Sequence, residues 1–399
     1  LRKELAAFLK KTDAPLSVRS SSLLEDAQFR PYAGLYSTYF LANNNEEFNE
    51  RLNQLEGAVK LVYASTWFES PRAFARSTNQ GRDDAMAVII QQVVGDENDG
   101  YWYPAVSGVA QSHNYYPVMG MKAEEGIAHI ALGIGKTVVE GEKSLRLSPA
   151  HPKRLLQFSS VEDILQNCQR QFYALDMYSN TCLQRYGSNL VKRDVQEAES
   201  EFPVQMLSST YVPEEHRIRD AQLPGVKIMT FAQLLKYKTY PLADILSELL
   251  TLGRDGMGCE IEIEFAVSLH PDIRKSTFYF LQIRPMVTGG ERVDVQICDK
   301  EVEASFCFSH QALGHGTFDT IRDIVFVDQC SFDPSATREI ASEIGQVNKK
   351  LIVEECPFLL VGPGRWGSAD PWLGIPVQWS DISGVGAIVE LRNESLRVD

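Results

Sequence analysis

The run Glu260-Ile-Glu-Ile-Glu-Phe-Ala-Val267 alternates carboxylate and hydrocarbon over its first six residues. A period of two fits an extended strand and no helix, because successive side chains of a strand point to opposite faces. Glu260, Glu262 and Glu264 therefore share one face, and Ile261, Ile263 and Phe265 the other. A polar loop containing His270-Pro271-Asp272 follows, then a second extended run from Thr277 to Ile283. If the two form a hairpin centred near Ile273, Glu264 stands opposite Gln282 and Glu262 opposite Arg284. A loop of this length leaves that register open.

Elsewhere the pattern is mixed. Phe48, Leu52, Leu55, Val59 and Val62 recur at helical spacing, which predicts an amphipathic helix over 46–67. Ala87 to Val94 reads as a buried strand, and the Gly-, Pro- and aromatic-rich stretch to Thr137 as short strands and turns. Ser159 with Glu162 signals a capping box, with a helix continuing through Val161, Ile164, Leu165, Cys168, Phe172 and Leu175. Residues 187–225 read as a connector or an excursion, and Phe231 to Leu252 as a helix ending at Gly253. After Gly289-Gly290, strands are expected at Ile324–Val327 and Leu351–Val353, with a helix over 335–350 between them.

The chain has 399 residues, too many for one compact core, so two or three units are expected. Its formal charge is −14, from 39 Lys and Arg against 53 Asp and Glu. A large nucleic-acid footprint calls for a basic surplus, so no nucleic-acid partner is expected. An acidic chain can still hold a local phosphate pocket. No apolar run is long enough to span a bilayer, and seven scattered cysteines without a C-x-x-C pair read as reduced thiols of a cytoplasmic protein. The chain starts without Met, inside a helical pattern (Leu1, Leu5, Phe8, Leu9), so it reads as a piece of a longer protein.

Four segments carry candidate chemistry. In Ser17-Val-Arg-Ser-Ser-Ser-Leu-Leu-Glu-Asp26, followed by Tyr32-Ala-Gly34, a cation stands among hydroxyls and can help cradle a polyphosphate; the alternative is a helix N-cap with a surface arginine. Glu264 and Gln282 offer oxygens to a hard cation and Arg284 offers a phosphate clamp, against the alternative of a solvated strand face. Ala131-Leu-Gly-Ile-Gly-Lys-Thr137 is not a P-loop, because that motif needs glycine where Ile130 stands; a glycine turn leading into a Val138-Val139 strand remains. Gly362-Pro-Gly-Arg-Trp-Gly-Ser368 can expose amides as an anion nest beside Arg365, or be a turn pinned by Trp366 and Trp372.

Taken in order, these pieces resemble the ATP-binding domain of the pyruvate phosphate dikinase and phosphoenolpyruvate synthase family. Ser17-Val-Arg-Ser-Ser-Ser with Glu25-Asp26 and Tyr32-Ala-Gly34 resembles its VRSSA…ED…FAG signature. Ala64-Ser65 with Arg72-Ala73 is similar to its next helix, and Val88 to Val94 to its VVVQ-x-MV strand. Ser107-Gly-Val109 matches SGV, Gly133-Ile-Gly135 through Gly141 resembles GLGE-x-VV-x-G, Glu262-Ile-Glu264-Phe-Ala resembles DIEWA, and Leu281-Gln-Ile-Arg-Pro285 resembles LQ-x-RP. The landmarks span residues 15–288.

The resemblance implies an α+β fold: an ATP-grasp-like, two-lobed nucleotide-binding domain, with residues 1–95 and 96–290 as the lobes and 291–399 as an additional C-terminal α/β domain. It implies ATP and Mg2+ as cofactors. Arg19 would contact the ATP phosphates, Glu264 and Gln282 would hold metal and nucleotide, and Arg284 would stabilise the transferred phosphate. The phosphoryl acceptor would lie outside this chain, as a phosphohistidine domain or a small molecule such as pyruvate. The departures are specific. Nothing before Ser17 matches the family's Gly-Gly-Lys-Gly segment, Lys136 stands where an acidic residue is usual, Ala110-Gln111 replaces Phe-Thr, and Ser309-His310 lacks the glycine-rich surroundings of the carrier histidine. They admit an alternative, a non-catalytic nucleotide-binding or regulatory module.

Overall fold

The computed structural model describes residues 1–22, 36–68, 86–115, 117, 121–139, 142–158, 160–178, 189–286, 297–309, 318–354, 357–368 and 374–391. Glu25-Asp26, Tyr32–Gly34, Arg72-Ala73, Glu140-Gly141, His310 and Trp372 lie outside them. The chain divides into two compact units, Leu1–Gly289 and Gly290–Asp399. Both mix helix and sheet.

The first unit begins with a three-stranded antiparallel sheet. Its central strand, Leu16–Ser22, lies between Tyr39–Leu41 and Met86–Gln92. Strand alternation sends Leu16 and Val18 into a core with Leu5, Leu9, Leu55, Val59 and Val62 from the helices Arg2–Leu9 and Phe48–Ser65. Ser17 and Arg19 are left on the opposite face.

A five-stranded antiparallel sheet follows, in the order Thr277–Pro285, Ile261–Ser268, Val106–Gln111, Ile127–Ala131 and Leu145–Leu147. Ile261, Ile263 and Phe265 are buried in one core with Leu242, Leu246 and Leu250 of the helix Leu242–Met257. The hairpin register agrees with the sequence expectation: Glu262 pairs with Arg284 and Glu264 with Gln282. One residue further the register slips, so that Phe265 pairs with Phe280 and Leu281 becomes the extra residue of a bulge. A four-stranded sheet (Leu190–Asp194, Gln171–Asp176, Tyr101–Tyr103, Asp96–Asn98) and a three-stranded one (Arg217–Arg219, Ser208–Val212, Val226–Met229) complete the unit.

Several expected elements differ. The helix begun by Ser160, capped reciprocally with Asp163, stops at Asn167, and Phe172 and Leu175 belong to the next strand. Their burial in a shared core made both spacings look apolar. Where a connector or an excursion was expected, the described residues 189–225 carry strands and the helix Phe202–Leu207, and a buried Arg193–Glu201 ion pair at 2.8 Å lies against Tyr103. The stretch from Phe231 breaks into Ala232–Leu235 and Leu242–Met257, because Pro241 cannot continue a helix and Lys238 adopts φ +53°. The second helix passes through Gly253 and ends at Gly258, φ +66°.

The second unit holds a parallel sheet, ordered Asp323–Phe326, Phe358–Pro363, Val385–Leu391, with the helix Thr337–Val353 between its first two strands. Leu351–Val353 is the last turn of that helix, not a strand; the buried strand is Phe358-Leu-Leu-Val361. Its core gathers Ala341, Ile344, Phe358, Leu360 and Ile375.

Candidate functional site

Arg19 leaves the helix-free face of its sheet and meets the carboxylate hairpin 245 residues on. Its Nη2 donates to Gln282 Oε1 at 2.5 Å, and its Nη1 stands 3.9 Å from Glu264 Oε2. The two side chains are 22% and 24% exposed, so the pair is sheltered yet reachable. The Arg19 Nε is buried with no hydrogen-bond partner among the described residues. The bulge at Leu281 sits beside this contact.

Arg284 is placed differently. Its Nε donates to Glu262 Oε1 at 2.8 Å and its Nη2 donates to the same oxygen, while Gln111 Nε2 donates to Glu262 Oε2 at 2.7 Å. Glu262 is 13% exposed, so the glutamate face is not a solvated one. Register and pairing thus bring Arg19, Glu264 and Gln282 together, and set Arg284 one pair along, held by Glu262.

A cleft of about 770 Å³ opens at Arg19 and Glu264. Its walls include Ser17, Tyr39 and Gln91 to Val94 from the first sheet and its exit, Ser107 to Val109 and Phe265 from the second, and Leu281 of the bulge. Neither Gln282 nor Arg284 lines it. The volume is that of an ordinary small-ligand site.

The glycine turn closes part of this cleft. Gly133 adopts φ +87°, a conformation open to glycine, and a Cβ there would meet the Tyr173 carbonyl at 2.6 Å. Ser107 Oγ donates to the Gly133 carbonyl at 2.7 Å, and Ile134 N–H to the Tyr173 carbonyl at 2.8 Å. Lys136–Val139 is a single helical turn, not the expected strand, and Gly135, Lys136 and Val139 line the cleft. The Lys136 ammonium lies 4.9 Å from the centre of the Tyr173 ring. Glu142, bonded by Lys192 at 2.7 Å and by the Tyr173 hydroxyl at 3.1 Å, has its carboxyl held below the usual range, chiefly by the Lys192 hydrogen bond.

Sequence reasoning missed Lys136 and the Gln91–Val94 wall as parts of one cleft. The signal was the Gly133-x-Gly135 turn, whose placement depends on Ser107 and Tyr173, distant in sequence. In the second unit, the Gly362–Ser368 turn offers no amide nest at three positions. Gly364, Trp366 and Gly367 donate to Leu391, Glu390 and Ile375 respectively, and Trp366 Nε1 reaches the Val389 carbonyl at 3.4 Å.

Among the described residues no group of three or more His, Cys, Asp or Glu is set for a metal, and no helix is long and apolar enough to cross a membrane. A mixed helix-and-sheet unit with such a cleft is compatible with a nucleotide-binding domain. The family model described as "Pyruvate phosphate dikinase, AMP/ATP-binding domain" matches residues 1–305. The chain belongs to this family, and that region is an ATP-binding domain of the pyruvate phosphate dikinase type. No curated protein matches the chain.

Proposed function

We propose that the cleft binds Mg-ATP between two ATP-grasp-like lobes, residues 1–95 and 96–290, and passes a phosphoryl group to an acceptor outside this chain. The observation that carries the proposal is that Arg19 and Glu264 meet on the wall of a cleft of about 770 Å³, with Gln282 bonded to Arg19 behind it. Phosphoryl transfer needs mainly positioning and neutralised oxygen charge. Arg19 brings cationic donors, including a buried Nε without a described partner, to the place where phosphate oxygens would lie.

Glu264 and Gln282, neighbours across the strand pair, would offer one carboxylate and one amide oxygen to a magnesium ion that takes its other ligands from phosphates and water, the amide oxygen first exchanging its bond from Arg19. That ion would neutralise phosphate charge. Arg284, fixed by Glu262, is assigned the transferred phosphate. The five described cysteines are free thiols, which suits a reducing, cytoplasmic setting. Residues 291–399 are read as an α/β domain with no assigned role.

A second reading, nucleotide binding without transfer, draws on Arg284 standing away from the cleft lining in its ion pair with Glu262. Calorimetry with ATP and Mg2+ tests the common part. Arg19→Ala and Glu264→Ala are each expected to weaken binding at least about tenfold. Absence of binding at millimolar ATP would overturn both readings, whereas tight binding without phosphoryl release to any added acceptor domain would leave only the second.

A further inference from the structure

We propose that Arg19 is a gate against free metal. Its guanidinium occupies the two oxygens offered to a divalent ion, so the cleft refuses the ion alone and admits it only together with a polyphosphate. The proposal rests on the reading of the cleft as a nucleotide site.

The contacts come first. Arg19 Nη2 donates to Gln282 Oε1 at 2.5 Å and Nη1 stands 3.9 Å from Glu264 Oε2, so one guanidinium spans both oxygens. Glu264 and Gln282 are cross-strand partners, and their side chains leave one face of the hairpin side by side. A magnesium ion on the same oxygens lies about 2.1 Å from each, and so within about 5 Å of Arg19 Nη2. Two cations at that separation repel, the more so where the wall is sheltered from water. The arginine also balances the Glu264 carboxylate, which leaves little net negative charge to draw a metal out of its hydration shell. Magnesium gives up that shell reluctantly.

The second part is what moves the arginine. Its Nε is buried with no hydrogen-bond partner among the described residues. A buried donor without an acceptor is costly, and a phosphate oxygen supplies the acceptor. Gln282 gives Arg19 only a neutral amide oxygen, and Glu264 stands beyond hydrogen-bond length. A polyphosphate offers charged oxygens to several of the guanidinium donors at once, which is the stronger set of bonds. Arg19 therefore turns from Gln282 to phosphate, both oxygens are released together, and the metal enters with the nucleotide. By linkage, nucleotide and metal each raise the affinity for the other.

The test uses Mn2+ as the probe on the whole chain without nucleotide, the free ion being read by electron paramagnetic resonance. Arg19→Met, apolar and of similar length, is expected to bind Mn2+ at least about tenfold more tightly than the wild type. Adding Glu264→Gln to that variant is expected to remove the gain. Wild-type uptake as tight as that of Arg19→Met would overturn the gate, and so would a variant that gains nothing. A gain that survives Glu264→Gln would place the metal elsewhere and overturn it too. A thermal melt checks that each variant folds, and Arg19→Gln carries the comparison if the methionine variant melts early. Calorimetry of the wild type with ATP and Mg2+ keeps the two readings apart. ATP binding without the Mn2+ gain overturns the gate alone, whereas no binding at millimolar ATP removes the nucleotide reading itself.

Discussion

Arg19 shows how one side chain acquires meaning from its neighbours. In sequence it is a cation among serines, equally suited to a helix cap; in the fold its strand alternation aims it away from the helices and into Gln282 and Glu264. Glu264, Gln282 and Arg284 were legible because period-two alternation fixes faces, and the hairpin then paired them as expected. Lys136 was not legible, since nothing local ties residue 136 to residues 107 and 173. The cluster beneath it gives a pH test. The Glu142 carboxyl is depressed in the folded protein, first by Lys192, so its contribution to stability is present above the ordinary glutamate range and is lost as the pH falls through the lowered value. The difference in urea midpoint between the wild type and Glu142→Gln is expected to be greatest above the ordinary glutamate range and to shrink as the pH falls through the lowered value. A difference that persists undiminished in acid would contradict the pairing.

At the scale of elements, the helix Leu242–Met257 is instructive. Its sequence places Gly253 and Gly256 one turn apart, and propensity alone treats them alike. Packing separates them. A Cβ on Gly253 would clash with Ile261 Cδ1 and lie 3.1 Å from Ile283 Cδ1, whereas Gly256 has nothing within 4 Å. Gly256→Ala is expected to raise stability by up to about 1 kcal/mol. Gly253→Ala is expected to lower it by about 1–3 kcal/mol, since fully buried Ile261 must move in a filled core. Denaturant unfolding of the two variants checks this, and a stabilised Gly253→Ala would show that the helix does not pack on the strand so closely. The same contact explains why Gly253 is no helix stop: it lets the helix pack close on the strand, and the stop falls at Gly258, where the backbone turns left-handed. The broken helix before it followed from Pro241, a signal present in the sequence and outweighed there by the apolar spacing around it.

At the scale of the molecule, the two units hold separate cores, and every described residue lining the cleft falls between Ser17 and Leu281. A chain ending at Gly289 is therefore expected to bind ATP within about twofold of the full chain, a factor too small to signal a lost contact. A larger loss measured by calorimetry would assign part of the nucleotide site to residues beyond 289. What the sequence determined by itself was whatever rests on local periodicity and ordered landmarks: the alternating hairpin, the Phe48–Ser65 helix, the membership in a dikinase ATP-binding family, and the exclusion of a P-loop at Ile130. Only the tertiary structure decided that Arg19 meets Gln282, that Arg284 is held by Glu262, and that Lys136 enters the cleft. Those contacts join residues far apart in the chain, and their geometry is set by sheet register, a bulge and a left-handed glycine, none of which leaves a periodic trace in the sequence.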